Sequence, residues 1–109
     1  MAQSGNIFDG VHPDPSGEQF LEMVRSRGMR VERIVSTGQV TPEGQWYDQS
    51  WTEWVLLLQG EAHVLFDREA APRILRPGDW LEIKPRERHR VVHTDANTPT
   101  IWLAVHDGP

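Results

Sequence analysis

A chain of 109 residues with 38% apolar and 25% charged residues has the composition of one soluble domain around a single core. Its net charge is −5 and its basic residues are scattered among acids, which argues against nucleic acid as a partner, while the lack of any long apolar run argues against a membrane. The absence of cysteine excludes disulfides, thiolate nucleophiles and thiolate metal sites, and with no secretory pattern over residues 1–6 the expected location is the cytoplasm.

Residues 1–15, rich in Gly, Pro, Asp and Asn, are expected to form an irregular lead-in to a domain over residues 16–109. Ser16 and Gln19 have the spacing of a capping box, and Phe20, Leu21 and Val24 follow at helical spacing. A short helix is therefore predicted over 17–26, ended by Gly28. Residues 31–35 are enriched in β-branched side chains and predict a strand. Beyond them short strands alternate with turn signals. Residues 53–59 are apolar on both faces and punctuated by Gly60. Over 62–66, Ala62, Val64 and Phe66 form a buried face and His63 points to solvent. Further strands are predicted over 73–75, over 80–83 after a type II turn at Pro77-Gly78, over 89–94 and over 100–106. The densest basic run, Arg86-Glu87-Arg88-His89-Arg90, reads as a solvated turn and strand edge. Many short strands behind one helix predict an all-β barrel or sandwich.

The order of strands and turns resembles the cupin superfamily of double-stranded β-helix, or jelly-roll, barrels. Glu53 and Gly60 enclose six residues, as in the second half of the first cupin motif. Gly78 and His89 match the second motif; its proline position is held by Lys84 with Pro85 displaced by one, and its frequent asparagine is His93. The two histidine positions of the first motif fall on Tyr47 and Gln49. In this superfamily those histidines, the glutamate and the second-motif histidine hold one metal ion inside the barrel. The resemblance thus implies a jelly-roll cupin fold with a ligand set of Tyr47, Gln49, Glu53 and His89, two of whose four members depart from the pattern.

If the first strand stays regular, Tyr47, Gln49, Glu53, Val55 and Leu57 share a face. His89, Val91 and His93 share a face of a second strand, and Trp102, Ala104 and His106 one of a third. A pocket is expected with an apolar floor and a few convergent polar groups, suited to a small-molecule ligand. Its chemistry stays open. Glu53 and His89 suit a weakly held divalent ion such as Fe, Mn, Ni, Zn or Cu. Without a metal, Glu53 and His89 become the general acid and base and Tyr47 a donor to a developing oxyanion, which fits a dehydratase or isomerase acting on a small carbonyl, sugar or carboxylate compound. A non-catalytic ligand-binding or sensor module is the third reading. His106 is expected to be a packing or capping residue.

Five tryptophans are many for this length. Trp46 and Trp51 are expected at the pocket mouth, and Trp102 and His93 inside it. Trp54 and Trp80 fall on the opposite face of their strands, where an interface would cover them, so a homodimer is expected, with the N-terminal helix as the other possible cover.

Overall fold

The structure, a computed structural model, describes residues 1–108. Among these residues there are eight strands and no helix: β1 (Gln19–Ser26), β2 (Met29–Ser36), β3 (Thr52–Gln59), β4 (Ala62–Phe66), β5 (Arg73–Leu75), β6 (Trp80–Ile83), β7 (His89–Thr94) and β8 (Thr100–Asp107). No helix long and apolar enough to cross a membrane is present among them. The strands form a five-stranded sheet in the order β1-β2-β8-β3-β6 and a three-stranded sheet in the order β5-β4-β7, every pair antiparallel. One core fills the space between the sheets, with Val55, Leu57, Leu81 and Trp102 from the larger meeting Val64 and Phe66 from the smaller. This all-β architecture is the jelly-roll barrel that the resemblance implies.

The helix predicted over 17–26 is instead strand β1. Gly28 has positive φ, as a helix terminator would, but Arg27 beside it does too, and Ser26 pairs with Met29 across them. Two consecutive left-handed residues make the primed turn that closes a tight hairpin. Phe20, Leu21 and Val24 looked helical because a bulge between Glu22 and Val24 shifts the phase of the strand. Phe20 lies opposite Ile34, and Leu21 opposite Arg33, so they occupy opposite faces.

The other turns follow from their residues. Asp79 N–H donates to the Arg76 carbonyl at 2.9 Å with Gly78 at φ 93°, the type II turn expected at Pro77-Gly78. Gly60, at φ 88°, is packed so tightly that a Cβ there would lie 2.5 Å from Thr100 Oγ1 and 2.8 Å from Thr100 Cα. That packing accounts for glycine at the end of β3.

The N-terminal segment, though irregular, is docked. Arg33 donates from Nη1 to the carbonyls of Ile7 (3.0 Å) and Asp9 (2.6 Å), and Gln39 Nε2 donates to the Asp14 carbonyl. The segment therefore runs against β2 and the loop that follows it.

No helix shields Trp54 and Trp80. Their rings stack on each other, centroids 6.1 Å apart, and Trp80 remains 59% exposed. They belong to two cross-strand rows on the outer face of the larger sheet. One row runs Leu21, Arg33, Leu103, Leu56, Trp80, and the other runs Val24, Val31, Val105, Trp54, Glu82. Apart from Arg33 and Glu82 these rows are apolar.

Candidate functional site

The inward faces of the two sheets enclose a cavity of about 140 Å³, and Phe20, Val40 and Tyr47 in its lining are exposed. Cross-strand register explains its lining. Glu53 on β3 lies opposite Ile83 on β6 and opposite His106 on β8, so all three side chains share the inner face. Trp102 on β8 pairs with Ile34 on β2 and brings that residue inward as well. Tyr47 lies outside the regular strands, but a β-bridge to His89 places it at the rim: Tyr47 N–H donates to the His89 carbonyl at 2.8 Å and His89 N–H to the Tyr47 carbonyl at 3.1 Å. Their rings stack at 5.4 Å.

Four of the residues singled out from the sequence for acid/base or metal chemistry, Tyr47, Gln49, Glu53 and His89, line this one cavity. Glu53 and His89 are deeply placed, 8% and 5% exposed. Trp102 also lines it, but its indole N–H is committed to Ser36 Oγ at 3.2 Å, and Ser36 in turn donates to Glu18 at 2.5 Å. Trp102 therefore offers a ligand its ring and not its N–H.

Three expected pocket residues lie elsewhere. His93 points away from the cavity because β7 carries a bulge: His63 pairs with His93 and Val64 with Val91, leaving Val92 unopposed. The extra residue flips His93 to the outer face and turns Thr94 inward, where it is buried. Trp46 is held outside by Arg88 and Arg90, whose guanidinium carbons sit 5.4 and 5.7 Å from its ring centroid. The basic run is tied up further by ion pairs of Arg86 with Asp48 and Arg88 with Asp67. Trp51 stands behind the cavity wall and reaches it only through His106.

That contact is informative about protonation. The Trp51 indole N–H can only donate, and it donates to His106 Nδ1 at 2.9 Å. Nδ1 is therefore the bare nitrogen and Nε2 carries the proton, which it donates to Glu32 Oε1 at 3.0 Å. Glu53 Oε2 lies 4.0 Å from the same Nε2. At His89 the logic is reversed. Nδ1 lies 2.8 Å from the Glu87 carbonyl, which can only accept, so Nδ1 carries a proton, and in the neutral ring Nε2 is the nitrogen with the lone pair. One cavity thus holds a histidine presenting an N–H and another presenting a base.

Burial, with Glu18 and Glu53 nearby adding like charge, pushes the Tyr47 phenol above its ordinary value, against a hydrogen bond with Thr41. Tyr47 therefore stays a hydroxyl donor. Gln49 does not pair with it; the Gln49 amide donates to Glu53 Oε1 at 2.9 Å. His106, Glu32 and Glu18 are the titratable cavity residues that sequence reasoning missed. Trp102 and His106 share a face of one strand, and Glu32 and Ile34 of another, so alternation carried a signal for the first two. The charged residues of the lining are Glu18, Glu32 and Glu53, with no Lys or Arg among the described lining residues.

This donor set does not fit a metal in the barrel. One oxygen of Glu53 accepts from the Gln49 amide, and His106 turns its Nε2–H toward Glu32. Among the described residues, the group of three His or carboxylate ligands close enough to share an ion is Glu61, His63 and His93, outside the cavity.

The family model for the cupin domain matches residues 33–106. No curated protein matches the chain. Among solved structures, a Ralstonia eutropha protein proposed to be a mannose-6-phosphate isomerase is 42% identical, with a TM-score of 0.95 over 99% of this chain and 100% of that one. An RmlC-like cupin of Desulfovibrio desulfuricans is 17% identical, with a TM-score of 0.77 over 98% of this chain and 97% of that one. The polyketide cyclase RemF of Streptomyces resistomycificus is 14% identical, with a TM-score of 0.77 over 100% of this chain and 81% of that one. The last two likenesses concern the fold.

Proposed function

The chain belongs to the cupin family, and on that premise we propose that it is an acid/base isomerase or dehydratase acting on a small uncharged carbonyl or sugar compound, with no metal in the barrel. The observation that carries this reading is the pair of oppositely protonated histidines, His89 and His106, on one cavity with Glu53.

The chemistry uses those groups in their native states. His89 Nε2 takes a proton from the carbon next to a carbonyl; the C–H electron pair forms the carbon–carbon double bond and the carbonyl electrons move onto oxygen. Tyr47, held as the hydroxyl, donates a hydrogen bond to that oxygen. Protonated His89 then returns its proton to the former carbonyl carbon, while the hydroxyl on the deprotonated carbon passes its proton to the first oxygen and becomes the new carbonyl, which completes the isomerisation. Glu53, steadied by Gln49 and close to His106, accepts hydrogen bonds from substrate hydroxyls.

Size and charge narrow the substrate. A cavity of about 140 Å³ is close to the roughly 150 Å³ engineered void that takes up benzene, so it encloses only the reactive end of a sugar. Three glutamates and no cation in the lining favour a neutral ligand over a carboxylate or phosphate. The name of the Ralstonia relative supports proton-transfer chemistry on a sugar, but nothing in the lining supports its phosphate. The test is NMR-monitored binding of paired neutral and phosphorylated sugars. Neutral compounds should shift the His89 and His106 signals, and preference for the phosphorylated partner would contradict the reading.

We also propose that two copies associate through the outer face of the larger sheet. Val24, Val31, Val105 and Trp54 of one row, with Leu103, Leu56 and Trp80 of the other beside them, form an apolar strip, and a second copy supplies the same strip in a two-fold arrangement.

A further inference from the structure

We propose that Glu61, His63 and His93 form a divalent transition-metal site on the outer face of the three-stranded sheet, independent of the barrel cavity. His63 and His93 lie directly opposite each other on β4 and β7, with ring centroids 4.5 Å apart. Glu61 precedes β4 by one residue, and its Oε2 lies 3.0 Å from His63 Nε2. One ligand atom from each of the three residues falls within 4.8 Å of the other two. In a tetrahedral site with bonds of about 2.0–2.1 Å, ligand atoms sit roughly 3.3 Å apart, so small side-chain rotations close the shell. Cross-strand packing accounts for the ring contact but not for a carboxylate oxygen arriving at the same point.

The surroundings suit a metal. Arg76 pairs with the other carboxylate oxygen, Oε1 at 3.8 Å, and leaves Oε2 to the histidines. Asp95, close enough to His93 to interact with it electrostatically, has its side chain committed to the backbone N–H groups of Asn97 and Thr98. The ion would replace the proton now shared between His63 Nε2 and Glu61. Two imidazoles and a carboxylate select zinc, nickel, cobalt or copper over magnesium or calcium. His93 is exposed, so positions on the solvent side stay open to water or a small anion.

The bulge that keeps His93 out of the pocket is what creates this site. Without the extra residue Val92, His93 would share the inner face with His89 and could not meet His63. A bound ion would clip β4 to β7 on the side opposite Val64 and Val91, two residues of the cavity wall.

The test is calorimetric titration of untagged, chelator-treated protein with zinc chloride, repeated with cobalt chloride to read the coordination spectrum. The proposal expects one ion per chain, a rise in melting temperature on binding, and affinity lowered by about 100-fold in His63→Ala and in His93→Ala, at the upper end of what even outer-shell changes cost. His89→Ala should bind zinc as the parent does. Imidazole signals of the parent protein give a second readout: zinc should move His63 and His93 and leave His89 and His106 in place. Absence of stoichiometric binding, binding unaffected by either substitution, or shifts confined to His89 and His106 would overturn it.

Discussion

The indole of Trp51 donates a 2.9 Å hydrogen bond to Nδ1 of His106, and this contact decides which way the second histidine of the cavity faces chemically. Trp51→Phe keeps the ring and removes the donor. Loss of one hydrogen bond to a buried group should cost about 1 kcal/mol of stability, measured by urea unfolding. The sharper readout is the nitrogen spectrum of His106, which should lose its fixed Nε2–H tautomer. An unchanged spectrum would mean that Glu32 alone orients the ring.

Tyr47 is the one tyrosine of the chain, so phenolate absorbance reports it without interference. Its raised value means that the folded protein keeps a proton that the unfolded chain releases near pH 10. Where the folded state holds more protons than the unfolded state, stability falls as pH rises. The Tyr47 contribution should therefore be complete below about pH 10 and decline above it, and Tyr47→Phe should flatten that part of the profile. Urea midpoints across the alkaline range, set beside the phenolate titration of the folded protein, check both statements.

Gly60→Ala should destabilise by about 2 kcal/mol or more, because it combines a left-handed backbone with a Cβ forced against the main chain of Thr100. Thermal unfolding measures it. A change near zero would mean that the β3–β4 turn gives way more easily than its packing implies.

Trp80→Glu and Leu103→Glu each place a charge in the apolar strip of the outer sheet face. Both should shift the sedimentation profile from dimer toward monomer, with the cavity on the opposite face of the sheet left intact. A parent protein that sediments as a monomer would remove the proposal that this face joins two copies.

The strands from β4 to β7 were legible in full, because alternation of Ala62, Val64 and Phe66 with polar neighbours and the Pro77-Gly78 turn leave little ambiguity. Two bulges hid the state of β1 and the facing of His93. The one in β1 gave Phe20, Leu21 and Val24 a helical spacing, and the one in β7 reversed His93. A bulge depends on how a partner strand pairs, and a single strand's residues do not carry that information. Motif spacing brought Tyr47, Gln49, Glu53 and His89 to one cavity, but it was silent on Glu32 and Glu18, which arrive from strands and loops far along the chain. The tautomers were beyond reach for the same reason, since they are set by Glu87 through its backbone carbonyl and by Trp51 through a contact 55 residues away in sequence.

The account rests on His89 Nε2 acting as the base inside the barrel without a metal. The most direct measurement is deuterium incorporation at the carbon next to the carbonyl, followed by NMR for a panel of small aldoses and hydroxy-ketones in D2O with chelator-treated protein. The account predicts exchange above the buffer rate for at least one compound, reduced to the buffer rate in His89→Ala. Exchange that persists in His89→Ala, or that requires added metal, would contradict it.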